Sequence, residues 1–130
     1  MFANVEPISL DDIHAAQQRL DGVAVRTPML RCDAAPPGRE LWLKLENLQP
    51  IGSFKVRPIG NAILSRAPAL LDRGIYTSSS GNSALGVAWM GRRLGIAATA
   101  VVPDNAPEAK LAGLRQLGAR IIVQIGRAHV

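Results

Sequence analysis

Apolar residues recur along the second half of this chain at two spacings that alternate from one segment to the next. Strands are predicted at residues 75–77, 96–102 and 120–123. The middle one is apolar except at Thr99, as in a strand buried on both faces. Between them, apolar side chains at helical spacing predict helices over 83–94 and 107–117. This order predicts an α/β fold with a doubly wound parallel sheet.

The first half of the chain is patterned less regularly. Ser9 and Asp12 have the spacing of a capping box, so a helix is predicted to begin after Ser9. Residues 25–30 are predicted to be extended, because the position before a proline disfavours helix. Leucines alternate with other residues over 41–46, which predicts a strand, and residues 32–40 are predicted to form a loop.

Composition narrows the class of protein. The chain has 130 residues, 48% of them apolar, which suffices for one domain burying roughly two thirds of its unfolded surface. No apolar run approaches the ~20 residues of a membrane span, and the first residues lack the features of a signal peptide. Cys32 is the single cysteine, which fits a reducing compartment. We therefore expect a cytoplasmic protein without a membrane partner, and no metal site is predicted.

The net charge of +5 raises the possibility of a nucleic-acid partner. The arginines are spread along the chain, however, and only Arg92 and Arg93 are adjacent. These two close a predicted helix, where cations are favoured by the helix dipole. With two Trp, two Phe and one Tyr, the basic residues also have few stacking partners, so no nucleic-acid partner is predicted.

Lys55 is the first candidate for chemistry. Pro50 and Gly52 interrupt the preceding strand, and Ser53 offers a hydroxyl where a helix could begin, so Lys55 lies at a strand-to-helix junction. It also follows an aromatic residue, Phe54. This context indicates a reactive amine, and the ordinary alternative is a solvated charge. The helix itself is predicted to run through residue 66 and to end before Pro68.

The second candidate is the loop over residues 79–83, which follows a predicted strand and opens a helix. Small hydroxyl residues and glycine allow an anion to approach the free N–H groups of a helix N-terminus. The alternative is a simple capped turn between strand and helix. The loop is not a nucleotide phosphate loop, because no Gly-Lys-Ser/Thr follows Gly86.

The two segments together resemble a known family. Gly-Ser-Phe-Lys-x-Arg, preceded by Lys-Leu-Glu and Gln-Pro, and the later Ser-x-Gly-Asn are similar to motifs of the threonine/serine dehydratases. These are pyridoxal-phosphate enzymes of the tryptophan synthase β-like fold. The resemblance implies a partial two-domain fold, with residues 1–58 in the larger domain and 59–124 in the smaller α/β domain. It also implies pyridoxal 5'-phosphate as cofactor and a homo-oligomeric full-length protein.

The resemblance also implies roles for individual residues. Lys55 would be catalytic and form the Schiff base with the cofactor, Phe54 would pack against the cofactor ring, and Asn82 would contact its 3-hydroxyl group. One position beside Lys55 departs from the family pattern. Pro58 stands where glycine is usual, so the helix is expected to begin only near Val56.

The remaining loop residues are implied to bind the substrate. Ser79, Gly81 and Ser83 would line the site of the substrate carboxylate. Ser83 replaces a frequent histidine of the family, which puts substrate specificity in doubt. Ser80 would lie at the substrate as well, and a serine at this position serves serine racemases as the acid or base on the second face.

The expected function is a threonine or serine ammonia-lyase, in which Lys55 removes the α-proton of a small hydroxy amino acid. Two alternatives stay open. One is a racemase of the same family that uses Ser80 opposite Lys55. The other is a non-catalytic α/β module that binds a nucleotide or metabolite.

The family is roughly two to three times longer than this chain, which fits a two-domain size. Its glycine-rich phosphate loop and its partner for the pyridine nitrogen are absent from the sequence. Residues 1–124 are therefore expected to be an N-terminal part, inactive by itself. Residues 125–130 resemble one reading frame of a sequencing-library adapter and are expected to be non-native.

Overall fold

The computed structural model describes residues 7–124. These form an α/β arrangement of a two-stranded antiparallel sheet, a three-stranded parallel sheet and helices. In chain order the elements are α1 (Leu10–Arg19), β1 (Met29–Cys32), β2 (Leu41–Lys44), a 3₁₀ turn (Glu46–Leu48), α2 (Val56–Leu64), α3 (Pro68–Leu71), β3 (Ile75–Ser78), α4 (Asn82–Leu94), β4 (Ala98–Pro103), α5 (Glu108–Gln116) and β5 (Arg120–Gln124).

The parallel sheet confirms the predicted α/β pattern. Its strands lie in the order β3, β4, β5, and each connection between neighbours passes through a helix, α4 or α5. Ala98, Ala100 and Val102 point to one face of β4 and are all buried. Because residues of α4 and α5 pack against this face, both helices cover the same side of the sheet.

Helix α4 lies between two clusters of buried apolar residues. Val87 and Met90 pack in one cluster with Val56 of α2, and Ala84 packs in the other with Leu114 of α5. Met90, Val56 and Leu114 are each completely buried, which stabilises the fold by about 1.5–3 kcal/mol per large apolar side chain. The core of the described region is therefore organised around α4.

A glycine allows α4 to approach the sheet closely. A Cβ atom at Gly91 would lie 2.8 Å from the Ala98 Cβ and 2.8 Å from the Ile96 carbonyl oxygen. One neighbour is a buried residue of β4 and the other is a backbone carbonyl, so neither can move aside and only a residue without a side chain fits there. The helix then ends at Gly95, which has a left-handed backbone with φ 69°, as expected for a glycine after a helix.

The two remaining strands form an antiparallel hairpin that the sequence analysis did not predict. Met29 pairs with Lys44, and Cys32 pairs with Leu41. The predicted loop at 32–40 is wrong at its first residue, since Cys32 belongs to β1. The predicted strand at 41–46 ends at Lys44, because the chain turns into the 3₁₀ segment from Glu46 onward.

The helix starts agree with the sequence better than the helix ends. The capping box is confirmed, since the Asp12 N–H donates to Ser9 Oγ at 3.1 Å and the Ser9 N–H donates to Asp12 Oδ2 at 2.9 Å. Helix α2 begins at Val56 as expected, but it ends at Leu64. Pro68 instead occupies the start of α3, where its missing N–H costs no hydrogen bond.

No helix within residues 7–124 combines the length and apolar character that a membrane crossing requires. The same part of the chain holds no group of three or more His, Cys, Asp or Glu side chains placed to bind a metal ion. Residues 125–130 lie outside the described range, so their expected origin in an adapter stays a prediction.

Candidate active site

Lys55 lies at the start of α2, as the residue immediately before its first turn. The side chain is half-buried, and its Nζ lies 5.1 Å from the centroid of the Phe54 ring. Phe54 is itself half-exposed, so this contact contributes only about 0.5–1 kcal/mol. Within residues 7–124 no carboxylate lies within ion-pair distance of Lys55 Nζ. The Lys55 amine is therefore not held in an ion pair by any described residue.

Ser53 contributes a polar atom that the described residues leave unsatisfied. Its hydroxyl does not lie at the helix start that the sequence suggests. Lys55 is the residue before α2, and no described side chain caps that helix. Ser53 Oγ is buried and has no hydrogen-bond partner in the described part of the chain. A buried hydroxyl without a partner costs about 1–3 kcal/mol. This orphaned donor, two residues from Lys55, fits the neighbourhood of a polar ligand.

The loop over residues 79–83 opens α4. The Gly81 N–H donates to Ser79 Oγ at 3.1 Å, which folds the loop back on itself. No side chain in the described region caps α4, so the simple capped-turn alternative is not what the structure contains. The first N–H groups of α4, beginning with Asn82, therefore keep the hydrogen-bonding capacity that suits an anion.

The loop side chains differ in exposure. Asn82 is exposed, whereas four of the predicted site residues are half-buried, namely Ser79, Ser80, Gly81 and Ser83. An exposed amide at the first helical position is free to turn toward a ligand. The half-buried glycine and serines are small enough for a carboxylate to reach the backbone.

Packing between α2 and α4 brings the two candidate segments into the same region. A Cβ atom at Gly86 would lie 3.2 Å from Ile59 Cγ1, so the helices touch closely at this point. Ile59 follows Lys55 by four residues, and Gly86 follows Asn82 by four residues. Both Lys55 and Asn82 are thus about one turn, or ~6 Å along the helix axis, from the contact.

Gln49 joins the lysine segment, residues 49–57, to the extended residues that precede β1. Its side chain is almost fully buried, at 4% exposure. The Val25 N–H donates to Gln49 Oε1 at 2.9 Å, and Gln49 Nε2 donates to the Val25 carbonyl oxygen at 2.8 Å. This amide therefore binds Val25 as a second strand would, although it belongs to a side chain.

Glu46 receives a set of donors from three parts of the chain. Arg57 donates to it from Nε at 2.8 Å and from Nη2 at 2.9 Å, and Thr27 donates from its hydroxyl at 2.6 Å. Gln49 Nε2 adds a fourth donor at 3.2 Å. The hydrogen bonds from Arg57 are the main reason that the pKa of Glu46 falls from 4.5 to about 2.

The sequence predicts no role for these residues, although they stand near Lys55 and Pro28. Glu46, Gln49 and Arg57 stand in the Lys-Leu-Glu, Gln-Pro and Lys-x-Arg segments, and Thr27 stands beside Pro28. Their signal in the sequence is that polar and charged residues stand on both sides of Lys55. The partners are separated by as many as 32 residues, so the connection could be seen only in three dimensions.

Comparison with known proteins decides the family. Residues 20–128 match the family described as "Pyridoxal-phosphate dependent enzyme". The chain belongs to this family. Pyridoxal phosphate is therefore the cofactor of the proteins to which it is related, as the two motifs predicted, and the predicted α/β fold class is confirmed by the same match and by the parallel sheet.

Individual relatives are similar over most of the chain. L-threonine ammonia-lyase of Thermotoga maritima is 40% identical over 119 residues, which cover 90% of this chain and 30% of the relative. L-threo-3-hydroxyaspartate ammonia-lyase of a Pseudomonas species is 41% identical over 116 residues, or 88% of this chain and 36% of the relative. The chain thus spans about a third of the length of these curated relatives.

A solved structure agrees with the fold. The structure of maize serine racemase superimposes with a TM-score of 0.85 at 33% identity, covering 92% of this chain and 37% of the racemase chain.

Proposed function

We propose that a full-length protein carrying this sequence is a pyridoxal-phosphate-dependent ammonia-lyase acting on threonine, serine or a similar hydroxy amino acid. The observation that carries the proposal is the half-buried Lys55, whose amine has no ion-pair partner among residues 7–124. It lies about one turn from the contact of α2 with α4, whose start offers free N–H groups. The ammonia-lyase relatives support the same reaction class.

Pyridoxal phosphate, when bound, supplies an aldehyde that reacts with amines and a ring that spreads negative charge. Lys55 would hold it covalently through Nζ, and Phe54 would lie against its ring. Asn82, exposed at the first position of α4, would donate to its 3-hydroxyl group. The orphaned Ser53 hydroxyl is a further polar atom able to serve a ligand beside Lys55.

The loop would hold the carboxylate of the substrate. Ser79, Gly81 and Ser83 border the start of α4, where backbone N–H groups and the positive end of the helix dipole favour an anion. The carboxylate would then be fixed on one side of the substrate, with the substrate amine directed toward the cofactor. Binding at this loop would orient the α-carbon toward the Lys55 amine.

Lys55 would next act as the general base, taking the α-proton of the substrate on Nζ. The proton that Lys55 takes and the β-hydroxyl group that leaves would together make one water. Hydrolysis would consume one water and yield a keto acid and ammonia.

Ser80 supports racemisation as the second candidate. Its half-buried hydroxyl lies in the same loop as the carboxylate site, and a serine racemase is among the similar structures. If Ser80 carried a proton to the face opposite Lys55, the α-carbon would be reprotonated with inverted configuration. Ser80→Ala would then remove racemisation while leaving ammonia release intact.

The cellular compartment, the oligomeric state and the division into domains are also proposals. A cytoplasmic protein is supported by the lone Cys32, which fits a reducing compartment, and a homo-oligomer is supported only by the resemblance to the dehydratases. The proposed division into residues 1–58 and 59–124 of two domains falls within α2.

Replacement of Lys55 tests the proposed function. In the full-length protein, Lys55→Ala should abolish ammonia release and also the cofactor adduct that borohydride traps and peptide mass spectrometry locates. Lys110→Ala, at an exposed position of α5, is the matched control and should leave both unchanged. An adduct that persists on Lys44 or Lys110 after the change would show that the wrong lysine has been assigned.

A further inference from the structure

Behind Lys55, three polar side chains form a network in which Lys55 itself takes no part. Gln49 and Arg57 both donate to Glu46, and the three side chains also bond to the segment at Val25 and Thr27. Gln49 lies six residues before Lys55, and Arg57 lies two residues after it. The lysine is thus held between two members of one network.

The carboxylate of Glu46 has no capacity left for a ligand. Oε1 accepts from Thr27 Oγ1 and from Arg57 Nη2, and Oε2 accepts from Arg57 Nε and Gln49 Nε2. A carboxylate offers about four acceptor positions, so these donors saturate it. Glu46 is only 18% exposed, which leaves little access for a substrate. Its role must therefore be exerted through its neighbours.

Both ends of the lysine segment are bound to the same residue. Gln49 bonds to the N–H and to the carbonyl oxygen of Val25, and Arg57 Nη2 donates to that carbonyl oxygen at 2.9 Å. Between them the backbone turns at Gly52, which has φ 68° and donates to the Gln49 carbonyl oxygen at 2.7 Å. The residues from 50 to 55 lack long regular structure, so these end points determine where Lys55 lies.

The geometry points to Glu46, Gln49 and Arg57 as positioning residues that set the place and direction of the Lys55 amine. This inference deepens the proposed function and rests on it. It requires the paired geometry of a guanidinium, since a lysine at position 57 would keep the charge but lose the parallel bonds to Glu46. A displacement of about 1 Å at a reacting group can cost about 100-fold in rate.

Arg57→Lys and Glu46→Gln in the full-length holoenzyme test this role. Each should lower kcat about 10- to 100-fold. KM should change far less, because the substrate carboxylate is assigned to the loop at α4 and not to Lys55. Arg115→Lys is the matched control, since Arg115 forms an exposed ion pair with Glu108, and it should leave kcat and KM unchanged.

A second measurement is independent of the cofactor. Acetic anhydride labels lysine amines, and peptide mass spectrometry compares the labelling of Lys55 with that of Lys110 in the same cofactor-free sample. We expect the ratio to change in Arg57→Lys and Glu46→Gln and to stay constant in Arg115→Lys. Glu46→Gln preserves side-chain length and keeps one acceptor oxygen. It therefore carries the test if Arg57→Lys does not fold.

Two results separate this inference from the proposed function. If the network variants melt at lower temperature but keep the wild-type kcat and Lys55 labelling ratio, the network only stabilises the fold and the inference is overturned. If the wild-type protein traps no cofactor at Lys55 while the network variants still change its labelling, the proposed function fails and the positioning of Lys55 stands.

Discussion

The parallel sheet and the β1–β2 hairpin contain similarly apolar strands but differ in burial. Four of the six residues of β4 are buried, whereas all four residues of β2 are exposed. Leu41, Trp42 and Leu43 keep 40%, 49% and 45% of their surface accessible. The difference lies in the covering elements, since α4 and α5 pack on β4 while the side chains of the hairpin remain open. Burial is therefore decided by neighbours and not by the strand itself.

The exposed hairpin is apolar on both faces. Leu41 and Leu43 point to one side of β2 and Trp42 points to the other, a pattern typical of strands covered on both faces. Exposed apolar patches of this kind mark interaction surfaces. The relatives are about three times longer than this chain, so they contain elements that the described residues do not.

The largest expected effect is a complete loss of activity in the chain by itself. The hairpin is uncovered, and the sequence has no phosphate-binding loop. The affinity of residues 1–130 for pyridoxal phosphate should therefore be no higher than that of an ordinary surface lysine. They should also release no ammonia from threonine or serine. Titration of the cofactor into the purified chain, followed by its absorbance, measures this. Tight stoichiometric binding at Lys55 would show that the segment is self-sufficient.

A matched pair of leucine substitutions tests the comparison of the two sheets. Leu114 is completely buried, so Leu114→Ala should lower the free energy of unfolding by about 3–5 kcal/mol through lost burial and a cavity. Leu43→Ala removes the same atoms from a half-exposed position and should cost less than about 1 kcal/mol in the 130-residue chain. Urea unfolding of both variants gives the values. Equal losses would mean that the hairpin is covered in solution.

Asn82→Ala tests whether the start of α4 contacts the same cofactor that Lys55 is proposed to bind. Loss of one hydrogen bond to the cofactor ring should weaken its binding by about 1–3 kcal/mol in the full-length protein. Because Lys55 is intact, the borohydride-trapped adduct should still form, with a shifted absorbance. An unchanged spectrum and affinity would argue against this loop lying at the ring.

The pH dependence of stability should reveal the Glu46 network. Because the pKa of Glu46 is lowered from 4.5 to about 2 in the folded protein, its contribution is complete above pH 4.5 and is lost as the pH falls toward 2. The Arg57 side chain is 36% exposed, so solvent screens its pair with Glu46. We therefore expect Glu46 to contribute about 1–2 kcal/mol to the free energy of unfolding. Unfolding free energies across this window measure it.

Glu46→Gln supplies the comparison for that measurement, since it should flatten the loss of stability between pH 4.5 and 2. Glu108→Gln, at an exposed ion pair, should leave the profile of the wild type intact. A profile that is the same in all three proteins would mean that the Glu46 contacts do not persist in solution.

Local patterns predicted the second half of the fold well. The apolar run at 96–102 became β4 at Ala98–Pro103, and the helix predicted over 83–94 became α4 at Asn82–Leu94. Both are regions where period and length agree with nearby glycine and proline residues. The hairpin was missed because β1 and β2 are joined by residues 33–40, which lack the short Asn-Gly or Asp-Gly turn that identifies a hairpin in a sequence.

The sequence by itself determined which candidate groups are present, namely a lysine after an aromatic residue and a serine- and glycine-rich loop before a helix. It also determined which family these two segments resemble. Such signals are local, since they depend on residue type and spacing. Only the tertiary structure decided that Gly86 meets Ile59 beside both segments, and that Glu46 binds Arg57 and Thr27. Those contacts join residues far apart in the chain, and they form only where packing brings compatible surfaces together.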